Sequence, residues 1–409
     1  MVRQANYIEV SKLTQKVINL LIFSSISSSF WAIYKVVFNL FLRDLGYTNQ
    51  FIGRMTSFEM LGAAILGILI GILGDRIGKK KMIIISSLSF GILLLIRSTF
   101  PYKNILLVLG FLNGGFMTSR RLLLDSYLMD VTDSSTRGAA FGYNFAIFMA
   151  SGVLGNFIGG FMGEYLGLRL TLYITGVCYA ISPILLRKLP ESVRDKRVTL
   201  KKVLDFSQYN KEEKYILKYY LLRTAAISFG AGLFVNFGNI IYKDLFNMSP
   251  SLIGISLSIA QFGAAAGSAG SPLLGKKFGP FKYTFILNGI VIPLIISLGF
   301  IRNPFIFIGI YALRFTFTNM TNPVETSSVL SALPKNRVTS IYSLRNAANF
   351  LTRSLAAFIF GIVSVLPSGY TFLFLISSVF YMLALIFMYK LFVPLRKNGV
   401  LHQLYSNNS

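Results

Sequence analysis

The sequence has almost none of the side chains that metal centres and catalytic triads require. Its 409 residues include one cysteine, Cys178, and one histidine, His402. A single cysteine excludes an intrachain disulfide and leaves the redox compartment unreadable. His402 lies in a polar tail, which excludes a histidine and cysteine metal centre and any triad with a buried histidine. Since no paired acids or glycine-flanked serine elbow stands out either, we predict no metal, no cofactor and no enzymatic activity.

Acidic residues are also scarce: 15 of them face 40 lysines and arginines, for a net charge of +25. Such an excess is typical of nucleic-acid binders, so the positions of the basic residues must decide. If the N-terminus is inside, most of them fall in cytoplasmic segments and helix ends, and the outer loops hold six, namely Arg43, Arg97, Lys103, Arg169, Lys243 and Arg302. The positive-inside rule then predicts a cell-membrane protein with both termini cytoplasmic, whose basic excess faces anionic lipid headgroups and no nucleic acid.

Apolar residues are abundant. They make up 54% of the chain, and the mean hydropathy is +0.62. Because a bilayer core is crossed by about 20 apolar helical residues, we predict an all-α membrane protein with twelve spans. The predicted spans are 17–42, 50–73, 82–97, 103–129, 138–162, 169–186, 215–242, 250–274, 281–300, 304–330, 338–366 and 370–393. The first sixteen residues are mixed and polar, and the first apolar run is longer than a signal core, so we expect no cleavable signal.

The second half of the sequence repeats the first. Ile52 and Gly53 recur as Ile253 and Gly254, Gly78 recurs as Gly279, and the run at 62–64 recurs at 263–265, all at an offset of 201 residues. Asp125 and Arg137 recur as Glu325 and Arg337 at an offset of 200. Six spans return the chain to its starting side, which predicts a parallel repeat. The predicted domains are 1–186, a basic cytoplasmic linker at 187–214, and 215–409.

Residues 71–81 read GILGDRIGKKK and resemble the signature of the major facilitator superfamily: glycine, three residues, aspartate, a basic residue, any residue, glycine and two basic residues. Asp75, Arg76, Gly78, Lys79 and Lys80 fit it. The resemblance implies two six-helix bundles, secondary transport of a small solute by alternating access, and a latch on the cytoplasmic side formed by these residues. In the fifth span SGVLGNFIGGFMG resembles the family's glycine-rich pattern, with Asn156 where proline is usual. Close helix packing also explains its glycines.

Charged residues inside the predicted spans are the sharpest functional clue. Three acids accompany eight basic residues, which are Lys35, Arg54, Arg120, Arg121, Arg223, Arg314, Arg345 and Arg353. A charge at the bilayer centre costs about 2.5–3.5 kcal/mol on insertion scales, so each must face the bundle interior, reach the interface or pair. Arg54 is near a span end and can reach the interface. Arg121 and Asp125 are spaced for an ion pair within one helix.

We interpret Asp125, Arg137, Glu325 and Arg337 as paired gate contacts of the kind that the family shows. The remaining bases suggest a solute site, since a guanidinium presents a planar fork of donors to a carboxylate or phosphate. The candidate substrate-binding residues are Lys35, Arg120, Arg223, Arg314 and Arg353. Pairing with Glu59 or with helix C-termini explains some of these charges equally well.

Glu59 is the best candidate for a proton carrier, because burial favours the protonated form of a carboxyl group. It can instead simply neutralise Lys35 or an arginine. We thus predict a monomeric secondary transporter of a small organic or inorganic anion, coupled to a proton or a counter-solute. Two alternatives stay open, a proton-coupled exporter of multiple drugs or lipophilic compounds and a membrane receptor that does not transport.

Overall fold

The computed structural model describes residues 15–133, 136–191, 209–333 and 338–397, and these residues form helices joined by short turns. We number the helices from α1 to α12, and the seventh consists of two segments, α7a and α7b. They are α1 (Gln15–Asp44), α2 (Asn49–Ile77), α3 (Lys79–Thr99), α4 (Lys103–Asp130), α5 (Arg137–Tyr165), α6 (Leu168–Ile181), α7a (Lys211–Gly232), α7b (Gly238–Phe246), α8 (Pro250–Phe278), α9 (Pro280–Leu298), α10 (Pro304–Ser331), α11 (Val338–Val363) and α12 (Gly369–Lys397). Each predicted span corresponds to one numbered helix, so the predicted all-α architecture is confirmed.

The sixth and seventh spans are less regular than the sequence predicts. A 3₁₀ turn, Ser182–Leu186, continues α6 where Pro183 stands near its start. Another 3₁₀ turn, Val235–Phe237, separates α7a from α7b. At the other end of the seventh span, Asn210 caps α7a in a capping box with Glu213, which fixes where this helix begins.

Ten of these helices are long and apolar enough to cross a membrane by length and composition. The two others, α4 and α10, are 28 residues long, so their polar content and not their length sets them apart. They are the helices that carry Arg120, Arg121 and Asp125 in one half and Arg314 and Glu325 in the other. The sequence thus places its least apolar helices at equivalent positions of the repeat.

By its contacts the chain divides into two compact units. Unit 1 comprises 1–45, 61–198 and 249–258, and unit 2 comprises 46–60, 199–248 and 259–409. The same four helix pairs pack extensively in each half of the sequence: α1 with α5 and α6, and α3 with α4 and α6, correspond to α7a with α11 and α12, and α9 with α10 and α12. This correspondence is the packing expected of a parallel duplication. The predicted domain boundaries stay a prediction, since the first turns of α2 and α8 each cluster with the other half.

Glycine allows these first turns to pack closely. In unit 1, a Cβ on Gly254 would lie 2.8 Å from the Cα of Gly160, and in unit 2 a Cβ on Gly53 would lie 2.6 Å from the Cα of Gly361. Both pairs are related by the offset of 201 residues. A side chain at any of the four positions would push the helices apart, because the neighbouring atoms belong to backbone.

Hydrogen bonds also hold the first turns of α2 and α8 in place. In unit 2 the Nδ2 of Asn49 donates to Asp244 Oδ2 at 2.9 Å and to the Tyr370 hydroxyl at 3.0 Å. In unit 1 the Glu164 carboxylate accepts the backbone N–H of Ser251 at 2.9 Å, in the first turn of α8. A carboxylate at this position satisfies a free N–H group and interacts favourably with the helix dipole.

Candidate functional site

Arg120 of α4 is buried inside unit 1, where its hydrogen-bond and ring partners are uncharged and the Asp125 carboxylate attracts it without forming an ion pair. Its side chain is 4% exposed, its Nη1 donates to the Ser27 hydroxyl at 2.7 Å, and its Cζ lies 5.7 Å from the ring centre of Tyr179. Ser27 in turn donates to the Phe23 carbonyl, so α1 holds it in place as an acceptor. Within the described residues no carboxylate forms an ion pair with Arg120, and its Nε–H is buried without an acceptor.

Arg314 of α10 has the same character in unit 2. It is 1% exposed and donates to the hydroxyl of Tyr381. Its Cζ lies 4.5 Å from the ring centre of Phe234 and 5.2 Å from that of Tyr381. Cation–π contacts of this kind contribute about 2 kcal/mol when desolvated. They offset only part of the cost of burying the charge, and its Nε–H also lacks an acceptor among the described residues.

Arg353 of α11 lies beside Arg314. The two guanidinium groups are close enough to repel each other, and Tyr311 and Tyr381 are within electrostatic range of both. Arg353 donates through Nε to Asn349 Oδ1 at 3.0 Å, and Asn349 also accepts from Ser228 at 2.7 Å. In the part of unit 2 that the structure describes, neither arginine forms an ion pair with an acid. Two like charges are therefore held together among uncharged side chains.

Arg223, also predicted to bind substrate, is instead in contact with an acid. Its Nη1 forms a buried ion pair with Glu325, which was predicted to form a gate with Arg337. Arg345 also attracts the Glu325 carboxylate, and its Cζ lies 5.9 Å from the ring centre of Tyr220. Arg337 lies outside the described residues. Glu325 thus forms an ion pair with an arginine of α7a and is attracted to a second arginine, on α11.

Lys35, another predicted substrate-binding residue, lies among aromatic side chains in unit 1. Its Nζ is 5.2 Å from the ring centre of Trp31, and Trp31 stacks on Phe148 of α5 with ring centres 6.0 Å apart. Arg121 of α4 places its Cζ 4.5 Å from the ring centre of Phe148. No sequence pattern marks this group, since Trp31 and Phe148 are isolated aromatic residues on different helices.

Glu59, the predicted proton carrier, is 7% exposed in α2 and belongs to unit 2. Burial is the first property that a membrane proton carrier requires. Its role stays a prediction.

The predicted latch residues form a network at the end of unit 1 that the charge distribution predicts to be cytoplasmic. Lys79 bonds to Asp130 Oδ2 at 2.8 Å and lies 3.8 Å from Asp75 Oδ1. Arg76 is exposed. Asp130, at the end of α4, is a partner that the signature does not include. Lys79 thereby ties the turn between α2 and α3 to α4.

Glu191 is a second partner of the latch that sequence reasoning missed. Its two carboxylate oxygens accept the backbone N–H groups of Lys80, at 2.9 Å, and Lys81, at 3.2 Å, at the start of α3. Gly78 has φ of 133°, and a Cβ there would lie 2.7 Å from the Glu191 Cδ. The signature glycine is therefore required both by its backbone and by the carboxylate against it. The sequence signal for this contact was an acidic residue, Glu191, near the start of the predicted basic linker.

The chain that follows α6 is fixed to the same place. Lys80 donates through Nζ to the carbonyls of Arg187 and Leu189, at 2.9 and 2.5 Å, and the Tyr127 hydroxyl donates to the Pro190 carbonyl at 2.6 Å. Lysine at a helix C-terminus satisfies carbonyls that have no partner within the helix. The latch network thus includes the first residues of the predicted linker.

Asp125 and Arg137, a predicted gate pair, do not contact each other. Asp125 accepts from Asn144 Nδ2 at 3.2 Å and is attracted to Arg121 and Arg120. Arg137 donates to the carbonyls of Met129 and Thr132 at the end of α4. The reason is geometric, because the first turn of α5 directs Arg137 at the free carbonyls of the helix before it.

Arg97 corrects one detail of the charge analysis, which placed it in an outer loop. It is fully buried in the last turn of α3, donates to the Tyr34 hydroxyl at 3.0 Å and lies 4.2 Å from the ring centre of Phe38. Aromatic residues of α1 hold the guanidinium inside the bundle. A residue at a predicted span end can thus turn inward.

These features, apolar helices duplicated in sequence and charges concentrated in α4 and α10, define a multi-pass membrane protein. The sequence profile of the Major Facilitator Superfamily matches residues 20–357. The chain belongs to this superfamily.

The chain is similar to known proteins in sequence and in fold, and it spans less than two thirds of the length of the curated relatives that it matches. It is 24% identical over 267 residues to a protein named multidrug resistance protein MdtG from Dickeya zeae (strain Ech586), a match that covers 63% of this chain and 64% of that relative. A bacterial homologue of the human lysosomal transporter Spinster, inward-facing and unoccupied, superposes with a TM-score of 0.71 at 15% identity over 95% of this chain and 97% of that one. A D-xylose–proton symporter superposes with a TM-score of 0.72 at 14% identity over 91% and 95%. At these identities the structures show a shared fold.

Proposed function

We propose that the protein transports a small organic or inorganic anion. The observation that carries the proposal is the environment of Arg120, Arg314 and Arg353, whose hydrogen bonds to other side chains among the described residues all go to uncharged groups. An unneutralised charge inside a membrane costs about 2.5–3.5 kcal/mol on insertion scales. Arg314 and Arg353 keep such charges in unit 2, where Glu325 neutralises Arg223, and in unit 1 one acid, Asp125, attracts both Arg120 and Arg121. Such a chain is suited to receive negative charge from outside the protein.

The hydrogen-bonding capacity of these arginines supports the same proposal. The Nε–H groups of Arg120 and Arg314 have no acceptor among the described residues. A carboxylate or phosphate accepts two parallel N–H groups from one guanidinium, which a tyrosine hydroxyl cannot do. Binding of an anion would supply both the missing acceptor and the missing charge. Since Arg314 is almost fully buried, the proposal requires alternating access to uncover it in part of the cycle.

A binding measurement tests the anion proposal. Purified protein is heated with and without citrate, benzoate or inorganic phosphate, and stabilisation by ligand is read as a rise in melting temperature. We expect at least one of these anions to stabilise the wild type and the control R54Q, which removes an exposed arginine from α2. R314Q and R353Q should lose that rise, because each removes one of the adjacent guanidinium groups. Equal stabilisation of all four proteins would contradict the proposal.

We further propose that a proton moves with the solute or in the opposite direction, and that Glu59 carries this proton. The D-xylose–proton symporter shares this fold, which supports a proton as the coupling ion. We expect E59Q to lose uptake driven by a pH gradient and to retain exchange of labelled for unlabelled solute across liposomes. Retention of gradient-driven uptake by E59Q would remove Glu59 from the coupling path.

The proposal includes a location in the cell membrane, cytoplasmic termini and a monomer. The distribution of lysine and arginine supports the orientation. It is tested by labelling single cysteines introduced at Gly46 and Gly279, at turns that should lie on opposite sides of the membrane. The native Cys178 is first replaced by serine. Equal labelling of both positions by an impermeant reagent in intact cells would contradict the orientation.

A proton-coupled exporter of lipophilic compounds is the second candidate. The relative named multidrug resistance protein and the 37 phenylalanines of the chain favour it. Drug sensitivity of a pump-deficient host separates the two, since only an exporter of this kind raises tolerance to lipophilic cations. A receptor derived from the fold would bind a solute without moving it in liposomes.

A further inference from the structure

Two lysines on different helices of unit 2 contact the same aromatic ring. The Nζ of Lys218, on α7a, lies 5.8 Å from the ring centre of Tyr219, and the Nζ of Lys390, on α12, lies 5.7 Å from the same centre. Phe387 of α12 also packs near this ring, with ring centres 6.4 Å apart. Because the face of an aromatic ring attracts cations, Tyr219 holds two ammonium groups at one place.

Acidic residues are scarce around these two charges. The sequences of α9 and α12 contain no aspartate or glutamate. The acids of α7a, Glu212 and Glu213, belong to its first turn, and Glu213 is engaged in the capping box with Asn210. In the part of unit 2 that the structure describes, neither Lys218 nor Lys390 forms an ion pair.

Both lysines are exposed and lie near the edge of the hydrocarbon core. The seventh span, Lys211–Phe246, has 36 residues. It is about 54 Å long against a core of about 30 Å, so a residue about 10 Å from its end lies at the core boundary. Lys218 is about that far from the start of α7a, and Lys390 is about that far from the end of α12. Tyr215, whose exposed ring lies 4.5 Å from that of Tyr219, is a residue type typical of this boundary.

An exposed apolar surface continues from the lysines towards the bilayer centre. Leu222 lies one turn beyond Lys218 on α7a, and Ile386 lies one turn from Lys390 on α12, and both are exposed. Residues one turn apart share a helix face, so each lysine has an apolar neighbour on its own face. Positive charge at the core boundary, followed by apolar surface, is complementary to a phospholipid with an anionic headgroup. A soluble anion would not use the apolar part.

The pair of lysines is not part of the repeat. Asp44 recurs as Asp244 at an offset of 200 residues, and at this offset positions 218–219 correspond to Ile18 and Asn19. A general preference of lysine for cytoplasmic helix ends would act on both halves alike. The basic pair is therefore a feature of unit 2 and not a consequence of membrane orientation alone.

We propose that Lys218 and Lys390 bind the headgroup of an anionic phospholipid, with its phosphate beside the Tyr219 ring and an acyl chain along Leu222 and Ile386. The site includes none of the arginines of the proposed solute site. The proposal therefore stands or fails independently of anion transport. Lysine stems that lie along apolar surface while their ammonium groups reach the phosphate suit this binding mode.

Native mass spectrometry of the purified full-length protein tests the proposal, because it resolves individual bound lipids. Protein in a neutral detergent is titrated with phosphatidylglycerol, with phosphatidylcholine as the lipid without net charge, or with inorganic phosphate as the anion without an acyl chain. We expect one phosphatidylglycerol to bind at least several-fold more tightly than either of the others. Attraction of about 1 kcal/mol per lysine near an anionic surface is a factor of about 5, so K218Q and K390Q should each raise the dissociation constant about 5-fold.

Matched variants separate this site from the general basic charge of the chain. K282Q removes an exposed lysine of α9 at the same end of unit 2, where Phe281 packs near Phe392, and should leave the dissociation constant unchanged. Y219F keeps the ring and should bind like the wild type, whereas Y219L removes it and should weaken binding by a factor of about 2 to 5. Circular dichroism and melting temperature confirm that each variant is folded.

Each contrary outcome removes one part of the proposal. Equal affinity for phosphatidylglycerol and phosphatidylcholine would overturn the role of charge. Equal weakening by K218Q, K390Q and K282Q would overturn the site and leave only general attraction between a basic protein and an anionic lipid. Inorganic phosphate that binds as tightly as phosphatidylglycerol, and is lost in K218Q, would overturn the lipid as the ligand and assign the lysines to a soluble anion.

Discussion

Removing one partner of the Arg223–Glu325 ion pair should destabilise the protein strongly and unequally. The two side chains are 5% and 3% exposed, so water cannot solvate whichever charge is left. Two unit charges about 4 Å apart attract each other by about 4 kcal/mol at an effective dielectric constant near 20. Loss of one partner from buried pairs costs about 3–5 kcal/mol.

The inequality comes from Arg345, which also attracts the Glu325 carboxylate. R223Q leaves Glu325 with one remaining cation, whereas E325Q leaves Arg223 and Arg345 with no acid between them. We therefore expect R223Q to cost about 3 kcal/mol and E325Q about 5 kcal/mol, the two ends of the usual range. In the double variant the losses should fall short of their sum by about 1–3 kcal/mol, since the second substitution removes a charge that the first left unpaired.

Thermal unfolding in detergent measures the order of these stability losses. It is compared among the wild type, both single variants and the double variant. E212Q and R54Q, which remove an exposed acid and an exposed arginine, control for the loss of charge alone. A lower unfolding temperature for R223Q than for E325Q would contradict the role of Arg345. Losses that simply add in the double variant would contradict the ion pair itself.

Two further predictions concern close packing around glycine. G78A should lower stability by about 1–3 kcal/mol, because alanine is strained at a φ of 133° and its Cβ would lie 2.7 Å from the Glu191 Cδ. Its melting temperature should therefore fall below that of G138A, a glycine with open space around it, and an equal value would contradict the packing. G254L should abolish transport by separating α8 from α5, while G289L, again in open space, should not, as uptake in liposomes would show.

The repeat in the sequence predicts equivalent positions but not what they contact. Gly53 and Gly254 are matched by the offset of 201 residues, and both lie at close helix contacts in the structure. Their partners, Gly361 and Gly160, are related by the same offset, although nothing in the sequence pairs them with α2 and α8. Contacts between helices depend on rotation about each helix axis, which a hydropathy pattern determines only coarsely.

Pairing of buried charges is likewise a tertiary property. The sequence shows an excess of bases over acids, and this excess alone indicates unneutralised arginines. It does not show that Glu325 contacts Arg223, about a hundred residues away, or that Arg137 binds carbonyls of α4. Local spacing indicated Arg121 as a neighbour of Asp125 because both lie on one helix, and the two groups do attract each other.

Counterflow in proteoliposomes tests the central claim, that arginines without an acidic partner among the described residues serve an anionic solute. Liposomes containing the purified protein are loaded with unlabelled isophthalate, an aromatic dicarboxylate that does not cross lipid unaided, and diluted into labelled isophthalate. We predict transient, saturable accumulation of label that R314Q and R353Q lose and R54Q retains. Equal accumulation by all variants, or exchange of lipophilic cations with none of isophthalate, citrate or phosphate, would contradict it.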